Sequence, residues 1–307
     1  MSNKVIEVQN LTKKYDTFVA LKNVSFDVYQ GEIFCVVGPN GAGKTTMIEC
    51  IEGIRDFKEG LIKVLNLDVT NFKRSVYKQI GVQLQESMLQ NRIKVKEAVD
   101  LFSSFYDNPL DGSKILEEVG LSDHLNKHYI KLSGGQKQRL FIALALINNP
   151  KILFLDEITT GLDPHAKIQM WKTIKEIRSQ NKTIFFTTHS MEEAQELSDR
   201  ILILDQGKIV ALNSPRSLIN QLEKHRYIIV NKDQNMDTGI FENLESISKL
   251  ESQKDRYLLF CDSENDVNRT IEILLKRGIL YKDFKVKQPN MEDVYLSLTT
   301  QKSNKIS

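Results

Sequence analysis

The chain has 307 residues, of which 41% are hydrophobic and 27% charged, a composition that predicts a folded globular protein and excludes an extensively disordered one. Its 42 basic and 40 acidic side chains leave a formal net charge of +2, which excludes the strongly basic surface typical of a general nucleic-acid binder. Every apolar run is shorter than the roughly 20 residues that cross a bilayer, and no cleavable signal pattern is present, so we expect a cytosolic chain.

The N-terminal part of the sequence predicts strands that lead into a glycine-rich loop. Residues 5–8 and 24–28 alternate apolar and polar side chains as half-buried strands do, and residues 33–37 form the continuous apolar run of a central strand. The glycine-rich residues 38–43 follow, and residues 45–54 carry apolar side chains at helical spacing. The order strand, loop, helix is the setting of a phosphate-binding loop.

Further along the chain, predicted strands alternate with predicted helices. Apolar runs lie at residues 152–155, 183–187 and 201–204, and helical patterns lie at about 164–179 and 191–197. This alternation predicts an α/β fold with a mainly parallel sheet, to which the half-buried N-terminal strands add antiparallel pairs.

The sequence divides into two predicted domains. The first spans residues 1–221 and contains a helical insert at about 86–148, and the polar residues 301–307 are expected to form a disordered tail. A small α+β domain is predicted at 222–300 from strands at 227–230, 257–261 and 283–286 and helices at 266–277 and 291–298.

The segment Gly-Pro-Asn-Gly-Ala-Gly-Lys-Thr fits the pattern G-x-x-x-x-G-K-[ST]. Its small residues let successive backbone N–H groups point at phosphate oxygens, and the following helix N-terminus adds positive potential. Because the motif lies between a strand and a helix, a P-loop NTPase-type fold is favoured over a plain glycine turn. Lys44 would reach the β- and γ-phosphates, and Thr45 would ligate Mg²⁺. The predicted nucleotide-binding residues here are Gly38, Pro39, Asn40, Gly41, Ala42, Gly43, Lys44, Thr45 and Thr46.

Two carboxylates end the apolar run at residues 152–155, where a parallel sheet presents its ligands. Asp156 can hold Mg²⁺ through water, and Glu157 suits a general base for in-line attack on a γ-phosphate. Taken alone, a strand-ending Asp-Glu pair is more often a turn or a helix cap. The phosphate loop makes the catalytic interpretation the stronger one.

The segment Leu-Ser-Gly-Gly-Gln at residues 132–136 predicts a second anion-accepting helix start, which one nucleotide does not need. With this motif the sequence strongly resembles the ATP-binding cassette family, whose signature is LSGGQ, over residues 4–220. The resemblance implies a head-to-tail dimer in which the signature of one copy covers ATP held by the other. It assigns Ser133 and Gly135 as hydrogen-bond donors to the γ-phosphate, with Gly134 and Gln136 in the same nucleotide-binding segment.

The resemblance also implies roles for single residues earlier in the chain. Tyr15 matches the aromatic residue that stacks on adenine, although a tyrosine of the core is the alternative. Gln85 matches the glutamine that touches Mg²⁺ and the attacking water, while Gln83, two residues earlier, leaves the register open.

Three later positions complete the comparison. Asp163 matches the loop that crosses the dimer interface, and His189 matches the histidine that senses the γ-phosphate, although a lone histidine after a strand is usually inert. Ile158 stands where the family often has proline, which affects only the rigidity of this loop.

The resemblance implies an ATPase that uses ATP and Mg²⁺ and drives a separate integral membrane permease at the cytoplasmic face of the membrane. Docking is expected near Gln85 and residues 86–121. The end of the chain, residues 290–298, resembles multidrug and antibiotic-resistance cassettes, which implies export of a drug, antibiotic or lipid-like substrate. A packing helix without substrate information is the alternative, because its apolar residues follow helical spacing.

Two other functions are less favoured. A soluble cassette acting on DNA or ribosomes is disfavoured because only about ninety residues, without sustained heptads, separate the phosphate loop from the signature; no nucleic-acid partner is expected. A regulatory cassette with little turnover is disfavoured because all the catalytic positions are present, namely Lys44, Gln85, Asp156, Glu157 and His189.

Overall fold

A computed structural model describes residues 3–83, 88–222, 226–232, 241, 244–279 and 284–303. The chain forms two compact units, Met1–Pro215 and Arg216–Ser307. This division lies a few residues before the boundary predicted at residue 221. No helix among the described residues is both long enough and apolar enough to cross a membrane.

The first unit contains two sheets and a set of helices. Its strands are β1 (Lys4–Tyr15), β2 (Phe18–Tyr29), β3 (Ile33–Val37), β4 (Glu59–Val64), β5 (Leu67–Asp68), β6 (Ile80–Gln83), β7 (Ile152–Asp156), β8 (Thr183–Thr188), β9 (Arg200–Asp205) and β10 (Lys208–Asn213). Its helices are α1 (Lys44–Glu52), α2 (Lys73–Tyr77), α3 (Val95–Ser103), α4 (Gly112–Glu118), α5 (Gly134–Leu146), α6 (Pro164–Ser179) and α7 (Met191–Leu197).

The central sheet has six strands in the order β10-β9-β3-β8-β7-β6, and all of its pairs are parallel except β10 with β9. A four-stranded antiparallel sheet has the order β2-β1-β4-β5. One apolar cluster joins the two sheets and α1, with Ile6 from the antiparallel sheet, Ile48 and Ile51 from α1, and Phe34 and Phe154 from the central sheet. The predicted α/β class with a mainly parallel sheet is confirmed.

Helix ends differ from the predicted ones where local bonds end the helix. Helix α1 stops at Glu52, before the predicted residue 54, because Gly53 takes the left-handed φ of 76° that closes helices. Helix α3, within the insert predicted to be helical, stops at Ser103. The amides of Phe105 and Tyr106 bond to carbonyls three residues back, at 3.2 and 3.1 Å, so a tighter turn replaces the α-helix.

The second unit is α+β, as predicted. The elements are α8 (Pro215–Asn220), β11 (Arg226–Asn231), β12 (Lys249–Ser252), β13 (Arg256–Cys261), α9 (Glu264–Lys276), β14 (Phe284–Lys287) and α10 (Met291–Ser303). The sheet is antiparallel in the order β12-β13-β11-β14, and α9 covers it with Val267 and Leu274, which join Ile228 and Leu259 in one buried cluster. Helix α10 runs to Ser303, so three residues of the predicted tail continue it, while 304–307 lie outside the described residues.

Candidate nucleotide site

The glycine-rich loop joins the carboxyl end of β3 directly to the start of α1. Gly43 is the N-cap of α1 with φ 103°, a backbone conformation that favours glycine. A Cβ atom on Gly43 would lie 2.6 Å from the carbonyl oxygen of Ala20, and one on Gly38 would meet the carbonyl oxygen of Leu204. Both glycines are therefore required for the loop to pack between neighbouring backbones and present its N–H groups at a helix start.

A cavity of about 420 Å³ opens beside this loop, a volume suited to a small-molecule ligand. It brings together residues that are far apart in the sequence. None of residues 132–136, all of which are described, lines it. The lining residues are Tyr15, Phe18, Ala20, Asn40, Gly41, Gly43, Lys44, Thr45, Thr46 and Glu157.

The ammonium group of Lys44 lies inside this site. Its Nζ donates to the carbonyl oxygens of Gly38 at 2.9 Å and Pro39 at 3.1 Å, and it lies 3.7 Å from Oε1 of Glu157. Burial lowers the pKa of Lys44, while the charges of Glu157 and Asp156 oppose that shift. The site therefore holds a largely desolvated cation, which an anionic ligand would stabilise.

Asp156 ends the buried strand β7 and contacts two hydroxyl groups. The hydroxyl of Thr187, on the neighbouring strand β8, donates to its Oδ1, and the hydroxyl of Thr45 is also hydrogen-bonded to the carboxylate. Burial raises the pKa of Asp156, the bond from Thr187 opposes this, and the charge of Glu157 adds to it. Loop and strand thus meet at one carboxylate.

The same contact allows a test of whether the chain suits Mg²⁺. A hydroxyl and a carboxylate are hard oxygen ligands, which this cation prefers. The described residues contain no cluster of three or more His, Cys, Asp or Glu side chains that could enclose a metal. Because Mg²⁺ usually binds through one or two carboxylates and the phosphates of its substrate, Thr45 and Asp156 fit a nucleotide-bound Mg²⁺.

Glu157 is held in an unusual backbone conformation. Its φ is 50°, which is uncommon for a residue with a side chain, and its amide donates to the carbonyl oxygen of Thr187 at 3.1 Å. Its Oε2 accepts a bond from the hydroxyl of Thr160 at 3.3 Å, and its Oε1 lies 3.7 Å from Nδ1 of His189. The carboxylate is therefore fixed between the Lys44 ammonium and the imidazole.

Tyr15 lies at the rim of the cavity and is half-buried, so it is not a core residue. Its ring faces two cations: the Nζ of Lys13 lies 4.8 Å from the ring centroid and the guanidinium carbon of Arg55 lies 5.4 Å from it. Phe18, 63% exposed, lines the same cavity. Flat aromatic faces at this rim suit an adenine ring, which leaves the stacking role of Tyr15 as a prediction.

The segment at residues 132–136 begins helix α5. Ser133 is its N-cap, and its hydroxyl oxygen accepts from the amide of Gln136 at 3.3 Å while the amide of Ser133 donates to Oε1 of Gln136 at 3.0 Å. Ser133 and Gly134 are exposed, and a Cβ atom on Gly135 would lie 3.1 Å from Cβ of Ala166. The segment is a well-formed, outward-facing helix start.

The remaining predicted positions vary in their environment. Asp163 is exposed and caps α6 by accepting from the amide of Ala166 at 3.0 Å, and the side chain of His189 is 50% exposed. Ile158 is fully buried, so its apolar side chain anchors the loop in place of the family's proline. Gln85 lies outside the described residues.

The structure adds residues that the motifs did not indicate. Thr187 and Thr160 hold the two carboxylates, and Glu52 lies buried on α1 with an Oε2 atom that has no hydrogen-bond partner among the described residues. The sequence feature that could have indicated Thr187 is the pair of threonines at the end of the apolar run in β8. Nothing in the local pattern around Glu52 distinguishes it from an exposed helical glutamate.

The phosphate loop follows β3, and the two carboxylates lie at the end of β7, which is separated from β3 in the sheet only by β8. This arrangement defines a phosphate-loop ATPase. The family model described as "ABC transporter" matches residues 21–160. The chain is 33% identical over 305 residues to "Nod factor export ATP-binding protein I" of Rhizobium etli, covering 98% of this chain and 95% of that protein. A Burkholderia orbicola protein of the same name is 32% identical, with 97% and 98% covered.

Solved structures agree with these relatives. The cbiO1 protein from Clostridium perfringens, described as part of the ABC transporter complex cbiONQ, matches with a TM-score of 0.66 at 26% identity, covering 72% of this chain and 92% of that one. A bacterial ABC transporter cassette solved as a dimer matches with a TM-score of 0.61 at 28% identity, covering 68% and 98%. The chain belongs to the ATP-binding cassette family of ABC transporters, as an ATP-hydrolysing subunit, and the soluble alternative is not supported.

Proposed function

We propose that the chain hydrolyses ATP as one half of a head-to-tail dimer, and that the dimer drives a separate membrane permease for export. The observation that carries this proposal is the separation of two anion-accepting helix starts. The cavity at the phosphate loop is lined by Lys44 and Glu157 but by none of residues 132–136. The exposed start of α5 at Ser133 is therefore available to cover ATP held by a second copy.

Within this dimer the residues at the phosphate loop bind ATP and position it. The loop amides and the Lys44 ammonium neutralise phosphate charge, and Tyr15 stacks on adenine. Ser133 and Gly135 of the second copy add neutral donors at the γ-phosphate. Thr45 and Asp156 would hold Mg²⁺ together with Gln85, and the cation when bound supplies further neutralisation of phosphate charge.

Hydrolysis needs a water molecule placed in line with the γ-phosphorus. The Glu157 carboxylate accepts a proton from this water as its oxygen forms the new bond to phosphorus, and the bond from phosphorus to the bridging oxygen of ADP breaks. His189, whose Nδ1 lies 3.7 Å from the Glu157 carboxylate, would sense the γ-phosphate. Thr160 and Thr187 position the two carboxylates through their hydroxyl groups.

A second cavity supports docking of a permease. It has a volume of about 630 Å³ and lies between the central sheet and the helical insert, with Ile54, Tyr77, Met88, Phe102 and Tyr106 among its lining residues. Such an apolar groove suits the apolar face of a short helix. The similarity to cbiO1, described as part of a transporter complex, agrees with this assignment. The chain would then act at the cytoplasmic face of the membrane.

The relatives favour export over import. The matches to export ATP-binding proteins extend over nearly the whole chain and include the second unit, residues 216–307. We assign the substrate to the broad class of drugs, antibiotics and lipid-like molecules, with its selection inside the permease. The second unit carries none of the nucleotide-binding motifs, so a role at the dimer or the permease fits it better than a role in catalysis.

The experiment that tests the shared site uses two inactivating substitutions. Lys44→Ala disables the phosphate loop. Gly134→Asp places a negative charge at the start of α5, and its Cβ atom would meet only Cδ2 of Leu162 at 3.5 Å, so the chain still folds. Two differently tagged copies are co-expressed and purified through both tags, and their ATP turnover is measured.

A shared site predicts opposite results for two dimers of the same composition. One substitution in each copy leaves one complete site, formed by the intact phosphate loop and the intact signature, and the dimer hydrolyses ATP. Both substitutions in one copy leave no complete site, and the dimer is inactive. The reverse pattern, with activity only when both changes share one copy, contradicts the head-to-tail dimer.

A further inference from the structure

A second polar cavity lies at the opposite end of the central sheet from the phosphate loop. Its volume is about 460 Å³, which is within the range of small-molecule sites. We call it the amide pocket because the amide side chains of Gln30, Gln79, Asn149 and Asn181 line it. Lys151 and Lys182 also line it. These residues precede β3, β6, β7 and β8, so the pocket collects polar groups from the amino ends of four parallel strands.

The amide pocket carries positive charge that its walls do not neutralise. None of the described residues that line it is acidic. Lys4, at its edge, is paired with Asp27 at 2.8 Å. Lys151 and Lys182 bond instead to neutral oxygens: Lys151 to Oε1 of Gln79 at 2.9 Å, and Lys182 to Oδ1 of Asn149 at 2.7 Å. Two lysine charges therefore remain for a ligand.

Lys182 is the more unusual of the two because only 9% of it is exposed. Its second bond, at 3.1 Å, goes to the carbonyl oxygen of Pro150, so described residues engage two of the three donors of its ammonium group. Burial lowers the pKa of Lys182, and the charge of Glu118 partly opposes this. A bound anion would compensate the buried charge and occupy the third donor.

The lining also limits the kind of anion. A phosphate monoester carries a charge of about −1.5 to −2 at neutral pH and three acceptor oxygens, which matches two lysines surrounded by amide donors. No described lining residue is aromatic, so the pocket offers no face on which a nucleotide base would stack. A compact phosphate group fits better than a nucleotide.

We propose that the amide pocket is a binding site for inorganic phosphate or a small phosphate monoester, separate from the nucleotide site. Lys182 also ties the loop at Asn149 and Pro150 to the sheet, a structural role that its burial alone could explain. Lys151 has no such role, since its ammonium group bonds only to the Gln79 side chain among the described contacts. Substitution of Lys151 therefore distinguishes a ligand-binding pocket from one whose lysines are only structural.

The test measures binding of inorganic phosphate to the purified full-length chain by isothermal titration calorimetry. All variants carry Lys44→Ala, which disables the phosphate loop. We expect this chain to bind phosphate, and the further change Lys151→Gln to weaken binding at least about tenfold, because it removes a charge-assisted bond. Lys172→Gln, at an exposed lysine outside the pocket, should leave the affinity unchanged. No binding to the Lys44→Ala chain, or equal affinity in Lys151→Gln, overturns the proposal.

The phosphate group could be free or could belong to a lipid headgroup. Vesicles that contain phosphatidic acid in a neutral lipid present it as a headgroup, and co-sedimentation is compared for the Lys44→Ala chain with and without Lys151→Gln. Where the calorimetric binding depends on Lys151, vesicle sedimentation that also depends on Lys151 identifies a lipid headgroup as the source. Lys151-dependent calorimetric binding without such sedimentation identifies a soluble phosphate.

Discussion

The phosphate loop and the signature segment both place a helix start where an anion can bind, yet they are built differently. The N-cap of helix α1 is Gly43, in a left-handed conformation and without a side-chain hydrogen bond. The N-cap of helix α5 is Ser133, with an ordinary φ of −66° and a reciprocal cap from Gln136. The first is enclosed with a lysine and two carboxylates, whereas the second is exposed.

This difference separates chemistry from recognition. The phosphate loop needs glycine because backbones approach it closely, and it lies beside the charged groups to which the proposed mechanism assigns proton transfer and neutralisation of phosphate charge. The signature segment is already satisfied as a helix cap and offers neutral donors. In the proposed dimer, the fold would keep its catalytic groups in one site and leave the covering surface to a second copy.

The largest effect on ATP turnover should come from a substitution beside the phosphate loop. Glu157→Gln removes the proton acceptor and keeps the shape of the side chain, so we expect ATP turnover to fall by about 10²–10⁴-fold. Nucleotide binding should persist, and the dimer should accumulate with ATP. Turnover and size-exclusion chromatography with ATP measure both effects. Turnover within about threefold of the unsubstituted chain would remove Glu157 from the role of general base.

An intermediate effect is expected on the signature side. Ser133→Ala removes one neutral donor to the γ-phosphate, which should lower turnover about tenfold, while ATP binding to the monomer stays the same because Ser133 does not line that cavity. The matched control is Ser263→Ala, since Ser263 caps α9 through the amide of Asp266 in the same way but in the second unit. Equal losses of turnover in both variants would mean that Ser133→Ala acts through loss of a helix cap and not through loss of a donor to the γ-phosphate.

The smallest effect on turnover should come from Glu52, on the same helix as Lys44. Burial, then the charges of Asp156 and Glu49, raises the pKa of Glu52 to about 9. The folded chain thus keeps a proton that the unfolded chain releases near its ordinary pKa of 4.5, so the free energy of unfolding falls as pH rises from 4.5 to about 9.

Glu52→Gln should remove this dependence, which is at most about 1.4 kcal/mol per pH unit. We expect the variant to be more stable than the parent chain at pH 8 and nearly equal to it at pH 5, with turnover little changed. Urea unfolding at several pH values measures this. The control Glu117→Gln alters an exposed helical carboxyl group and should not change how the free energy of unfolding depends on pH. A constant difference across pH would contradict a neutral Glu52.

Much of the fold was predictable because its signals are local. The predicted helices 164–179 and 191–197 match α6 and α7 at both ends, since Asp163 and Ser190 are N-caps that the sequence displays directly. The strand Ile33–Val37 was predicted with the same bounds because a continuous apolar run is bounded by glycine. The loop, strand and helix that form the phosphate-binding site follow from these elements.

The features that could not be predicted depend on contacts between distant residues. Glu52 lies on the same helix as the exposed Thr45 and the half-buried Glu49, and only its packing shows that its carboxyl group is buried. The bond from Thr187 to Asp156 joins two strands that are 31 residues apart in the chain. The amide pocket likewise needs the amino ends of four strands, which no single segment of the sequence reveals.

The left-handed backbone at Glu157 lowers the stability of the fold, although the side chain at the same position is proposed to be needed for ATP turnover. A residue with a Cβ atom in that conformation costs roughly 1–2 kcal/mol, which glycine does not. Replacement of Glu157 by glycine would thus relieve the backbone at the same time as it removes the proton acceptor. The glycine variant is therefore expected to fold and bind ATP without turning it over, so selection for stability alone would not retain the glutamate.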